Sequence, residues 1–167
     1  MIEKPVTVCV EETTFSDCGT YRYVLRRHNL DGNRNICFVM LNPSTADATL
    51  DDPTTRRAMD FASRINCGEY MAVNLFAMRS PNPKDLRLID DPVGPLNDEY
   101  LLAAADWADA IIVAWGNGGA YKNRDLAVRH LLRHKFLHCL GLTGGGYPKF
   151  PLYLKKNTKL EVYDNAS

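Results

Sequence analysis

The sequence has no excess charge of either sign: 20 Lys plus Arg balance 20 Asp plus Glu. A protein that holds duplex DNA by bulk electrostatics is expected to carry a basic patch or stripe. The balance argues against that class, although a local basic patch stays open. No apolar run approaches the roughly 18 residues of a membrane span, so no span is expected. No charged-then-apolar leader is evident at the amino end. The five cysteines are odd in number and contain no Cys-x-x-Cys pair. They read as reduced thiols of a cytoplasmic protein, mostly in its core. Neither a Walker A loop nor a Gly-x-Gly-x-x-Gly fingerprint occurs, and no internal repeat or low-complexity segment is found. The length of 167 residues fits one domain. Within it, residues 1–30 read as an amino-terminal hairpin or edge, 31–154 as the core, and 155–167 as a last strand and tail.

The chain is organised around Ile36 to Asp47. Ile36-Cys37-Phe38-Val39-Met40-Leu41 is apolar without alternation, the pattern of a strand buried on both faces. It breaks into Asn42-Pro43-Ser44-Thr45, and Pro43 cannot continue a central strand. A polar loop on the carboxyl end of a buried strand is where open α/β sheets bind ligands. The layout recurs downstream. Tyr70–Phe76 carries Asn74 and leads into Ala77-Met78-Arg79-Ser80 and a proline-rich loop. Ala110–Trp115 ends in Gly116-Asn117-Gly118-Gly119. Leu137–Leu142 ends in Thr143-Gly144-Gly145-Gly146, then Tyr147, Lys149 and Phe150. Glycine loops let backbone N–H groups approach a ligand closely.

Between these strands the spacing predicts helices. Asp52 is a good N-cap and Pro53 a good first residue for a helix reaching Ile65. Ala58, Met59, Ala62 and Ile65 form its buried stripe, with Phe61 beside it, and Gly68 is read as its C-cap. Asn97 is read as the cap of a second helix over 98–106, and a third is expected over 122–134. Residues 5–10 and 20–27 read as strands, and 160–163 as a short final one. Strands alternating with helices imply βαβ units and a mostly parallel sheet. The expected fold is therefore a three-layer α/β/α sandwich. Its central sheet is four-stranded and mostly parallel, with an antiparallel hairpin or edge strand ahead of it.

The segments LNPSTAD, DDPTTRR, VNLFAMRS, PVGPLND, AWG and LGLTGGGYPKFPLYL together resemble an uncharacterised domain family of bacteria and phages. The resemblance covers roughly residues 21–154. That family in turn resembles the uracil-DNA glycosylase superfamily, in which the strand tips of a parallel sheet carry the site. By this resemblance Asn42-Pro43 sits where an Asn-Pro positions the attacking water. Asn74 sits where an asparagine reads a base edge, and Trp115-Gly116 matches the tip of the third strand. Phe150-Pro151-Leu152 falls where glycosylases carry a His-Pro or Asn-Pro motif. The related domains usually have His-Pro-Leu-Tyr there, and phenylalanine cannot donate a hydrogen bond. A place where the family often has lysine is taken by the glycine run 144–146.

The residue types fit base recognition. Asn74 has a donor and an acceptor for a Watson–Crick edge, and Phe76, Trp115 or Tyr147 would stack on its face. The first expectation is thus a protein that binds a nucleotide-like small molecule with little or no catalysis. In a phage or mobile-element setting it would sequester a nucleotide signal. The expected contacts are Asn42, Pro43, Ser44, Thr45, Arg57, Asn74, Phe76, Arg79, Trp115, Gly116, Asn117, Gly118, Thr143, Gly144, Gly145, Tyr147, Lys149 and Phe150. The alternative is an N-glycosidic hydrolase acting on a modified base, with Asn42 orienting water and Asp47, Asp51 or Asp52 as a carboxylate helper. A purely structural role is the third reading. Nucleic acid is not the favoured partner, and no cofactor is expected. His130, His134 and His138 are spaced by four but share no acidic or cysteine ligand on one face, so no metal is expected.

Overall fold

A computed structural model describes residues 12–165 of the chain. The expected strand over residues 5–10 lies outside them. The described residues form a mixed α/β fold around a seven-stranded sheet. The strands are β1 (Thr13–Phe15), β2 (Arg22–Arg27), β3 (Arg34–Met40), β4 (Cys67–Asn74), β5 (Ala110–Val113), β6 (Leu137–Cys139) and β7 (Glu161–Tyr163). Their order is β1-β2-β4-β3-β5-β6-β7. The centre is parallel: β3 pairs with both β4 and β5, and β5 with β6. The sheet is wider than the expected four strands. β2 joins β4 antiparallel with β1 outside it, and β7 closes the other side antiparallel to β6.

Three helices cross over between the parallel strands: α1 (Pro53–Ser63), α2 (Asn97–Trp107) and α3 (Arg124–Leu131). The period-2 alternation of the strands divides the core into two layers. Ile36, Phe38, Tyr70, Ala72 and Ile112 face α1 through Ala58, Phe61 and Ala62. Cys37, Val39, Met71, Val73 and Val113 face α2 and α3 through Tyr100, Leu101, Ala104 and Val128. Both faces of the central strands are thus covered, which is why their sequences read as unbroken apolar runs.

Two helix caps differ from expectation. Asp52 does cap α1, accepting the Thr55 N–H at 2.7 Å, with Pro53 in the first turn. Gly68 does not end the helix. Asn66 takes the left-handed turn at φ 68, and Gly68 lies inside β4, where a Cβ would stand 2.5 Å from the Gly32 carbonyl. Leu96, not Asn97, occupies the N-cap of α2. The Asn97 amide instead donates to the Asn74 and Leu75 carbonyls at 2.9 and 3.1 Å, tying the helix to the end of β4. Cys37, Cys67 and Cys139 are buried free thiols and Cys18 is an exposed one. Burial pushes the Cys37 thiol up to about 12. Hydrogen bonds led by that from Ser16 bring Cys18 down to about 7. No described helix is long and apolar enough to cross a membrane.

Candidate functional site

From β3 the chain crosses through α1 to β4 on one side. From β5 it crosses through α3 to β6 on the other. The adjacent carboxyl ends of β3 and β5 are therefore a topological switch point, where the outgoing loops part and leave a crevice. A cleft of about 500 Å³ opens there, within the usual size of a small-molecule site. Its floor is made by Met40, Leu41 and Asn42 from the end of β3, Asn74 from β4, and Trp115, Gly116 and Asn117 after β5. One wall is the loop and first turn of α1, with Ser44, Thr45, Asp52, Thr54 and Thr55. Ser80, Pro81 and Pro83 after β4 and Phe150, Leu152 and Tyr153 after β6 complete the lining.

The two tip asparagines differ in what they are free to do. The Asn42 Nδ2 donates to the carbonyls of Ser80 at 3.0 Å and Pro43 at 3.2 Å, with Met78 at 3.5 Å. The Ser80 N–H returns a bond to the Pro43 carbonyl at 2.9 Å. Asn42 is therefore a clamp between the loops after β3 and β4. Asn74 is 2% exposed and its Nδ2 has no hydrogen-bond partner. A buried amide donor left open is costly unless something meets it.

Arg22 also lines this cleft, and nothing in the local sequence singled it out. It starts β2 and reaches the site only because β2 lies antiparallel against β4. The side chain is 3% exposed. Its Nη1 donates to the Ala46 carbonyl at 2.8 Å, while its Nε is buried without a partner. Desolvation, partly offset by the nearby Asp52 charge, pulls its pKa down to about 10, so it stays cationic at neutral pH. The Asp52 carboxylate is turned to backbone, toward the N–H groups of Thr55 at 2.7 Å and Ala46 at 3.4 Å.

Of the expected contacts, Asn42, Ser44, Thr45, Asn74, Trp115, Gly116, Asn117 and Phe150 come together at the cleft. The others serve elsewhere. Pro43 is buried behind the loop. Arg57 bonds the Leu154 carbonyl, lies 3.9 Å from Asp60 and covers the Phe61 ring, on the flank of α1. Phe76 is fully buried against Tyr121 in the α2–α3 layer. Arg79 lies over the Phe15 ring at 4.6 Å. Gly118 passes close to Leu41. The stretch from Thr143 through Gly144 and Gly145 to Tyr147 closes on itself: the Thr143 N–H donates to the Tyr147 carbonyl at 2.7 Å and the Gly146 N–H to the Thr143 carbonyl at 2.9 Å. It is a tight turn, its Thr143 hydroxyl donating to Asn117 at 2.7 Å. Lys149 packs along Gly141.

Stacking is likewise reassigned. The Trp115 ring is buried edge-on to Tyr163 at 5.9 Å, in the layer of α2 and α3. Among the described residues, the aromatic side chains left for a planar ligand at the cleft are half-buried Phe150 and Tyr153, the latter 89% exposed. The expected carboxylate helpers also separate. Asp47 organises its own turn, accepting the Thr49 and Leu50 N–H groups at 2.9 and 2.8 Å, which hold its carboxyl below the usual range. Asp51 pairs with Arg27 at 2.7 Å. Asp52 alone of the three lines the cleft. No group of three or more metal-ligating side chains occurs among the described residues.

The family model described as a protein of unknown function, DUF1643, matches residues 22–152, and the chain belongs to that family. No curated protein and no solved structure matches the chain.

Proposed function

Within that family, we propose that this protein binds a nucleotide-like small molecule in the cleft at the ends of β3, β4 and β5 and leaves it intact. The observation that carries this is the unpartnered Asn74 amide in the cleft, with Phe150 and Tyr153 lining the same cleft. A base or similar heteroaromatic ring would give Asn74 its acceptor and take its stacking from Phe150. The likeness to the uracil-DNA glycosylase fold is part of the same proposal. A parallel four-strand centre with the site on its tips is what that likeness implies.

Binding is favoured over N-glycosidic cleavage on chemical grounds. The Asn42 amide nitrogen is committed to backbone carbonyls and Asp52 to backbone N–H groups. Phe150 offers no proton or hydrogen bond to a departing base. Sequestration of a nucleotide signal is the biological role consistent with a cleft of small-molecule size and a chain of zero net charge.

Native mass spectrometry of the full chain with nucleotides and nucleotide-sugars, including ADP-ribose, tests this. Recovery of an intact ligand at one equivalent is the expected result. Phe150→Ala should weaken it by the ~1–3 kcal/mol typical of one base–aromatic stack. Recovery of a free base with a sugar fragment would replace binding by hydrolysis.

A further inference from the structure

Arg22 and Arg124 are both buried arginines, yet only one has its charge met. Arg124 donates to the Leu75 carbonyl at 2.7 Å and pairs with Asp98 at 2.5 Å. Arg22 has the Ala46 carbonyl, a buried Nε without a partner, and no described carboxylate at ion-pair distance. A desolvated cation without a contact anion is expensive to keep in a core. Its position at a ligand cleft gives that expense a use.

The surroundings of Arg22 supply further donors. In the first turn of α1, Pro53 has no N–H. The Thr55 N–H goes to the Asp52 side chain and that of Arg56 to the Asp52 carbonyl. The Thr54 N–H remains, at the positive end of an 11-residue helix. The hydroxyl-bearing residues Ser44, Thr45 and Thr54 line the same wall. Asp52 offsets part of the cost of the Arg22 charge, but its oxygens bond backbone N–H groups and leave the guanidinium Nε open.

We propose that Arg22, with Ser44, Thr45 and the first turn of α1, is an anion subsite of the cleft, so that its ligand carries a phosphate or diphosphate group at that end. This rests on the small-molecule reading of the cleft and deepens it. The ring would lie toward Asn74 and Phe150, and the oxyanion toward Arg22. A guanidinium fork suits a phosphate through paired N–H···O bonds.

The test uses the full chain and inorganic pyrophosphate as the probe, followed by calorimetry and by phosphorus NMR. Adenosine and AMP are titrated in parallel. Saturable pyrophosphate binding that weakens with added salt is expected. It should fall at least about tenfold in Arg22→Met, since a charge-assisted bond is worth that much. If Arg22→Met does not fold, Ser44→Glu, which leaves Arg22 in place and sets a carboxylate on the wall, should show the same loss. AMP should bind more tightly than adenosine in the wild type and not in either variant. Pyrophosphate that fails to bind, or binds the variants equally well, overturns the subsite. Arg22-dependent pyrophosphate binding with no adenosine or AMP binding would keep the subsite and overturn the nucleotide-like reading instead.

Discussion

The two faces of the sheet at its carboxyl edge use the same pair of residue types to opposite ends. On the face of α2 and α3, Asn97 and Arg124 are buried, and their nitrogens bond the carbonyls of Asn74 and Leu75 at the end of β4 and just beyond it, and the Asp98 carboxylate. On the face of α1, Asn74 and Arg22 are buried as deeply, and each keeps a nitrogen without a partner. The first pair is architecture. The second is polarity held ready at a cavity. The contrast lies in the donors: these Asn97 and Arg124 nitrogens are bonded, although Asn97 keeps a buried Oδ1 without a partner, whereas Asn74 and Arg22 leave a nitrogen open beside the cleft.

The largest effect expected from this contrast is on the satisfied side. Arg124→Met removes the shorter of two side-chain bonds to the Leu75 carbonyl and the Asp98 pair, and should cost about 2–4 kcal/mol. Arg22→Met removes one bond to Ala46 but also a buried charge that Asp52 compensates only in part, and should stay within about 1 kcal/mol of wild type. Urea unfolding of both variants without ligand measures this difference. Equal losses would mean that Arg22 is structural and would erase the contrast.

Much of this edge was legible in the sequence, and the reasons are local. Apolar runs ending in Asn42-Pro43, Asn74 and Gly116 gave the strand tips, and Asp52-Pro53 gave the start of α1, because strand burial and helix capping are written in adjacent residues. Arg22 was not legible, since it reaches the cleft through a pairing with a strand far along the chain. The direction of Trp115 was not legible either. A run buried on both faces carries no alternation to say which layer a residue joins, and the ring went to the layer of Tyr163. The Thr143–Gly146 turn was not legible for a related reason: glycines that let backbone N–H groups approach a ligand also permit a tight turn.

A mid-sized effect concerns thiol chemistry as a probe of the same layers. Cys18 lies in the exposed turn before β2, and its thiol is brought down to about 7. Its thiolate is therefore half formed near neutrality and grows as pH rises. Cys37 lies between the layers with its thiol raised to about 12. Iodoacetamide at pH 7–8 should modify Cys18 first among the described cysteines, while Cys37 reacts only as the sheet opens. Peptide mapping gives both rates. If Arg124→Met loosens the α2–α3 layer as argued, Cys37, which faces that layer, should gain reactivity in it and not in Arg22→Met.

The smallest stability effect should come from the asparagines, and it cuts most finely. Asn97→Ala leaves the Asn74 carbonyl without its side-chain donor, while the Leu75 carbonyl keeps the bond from Arg124, and should cost about 1–2 kcal/mol. Asn74→Ala removes a donor that has no partner to lose, so the free protein should change by less than about 1 kcal/mol. The small cavity left where the amide stood opens onto the cleft and can fill with water. Ligand binding should show the reverse order, because Asn97 faces the packed side and Asn74 the cleft floor. If Asn74→Ala proved as destabilising as Asn97→Ala and left ligand affinity unchanged, its amide would belong to the architecture, and the two faces would not differ in kind.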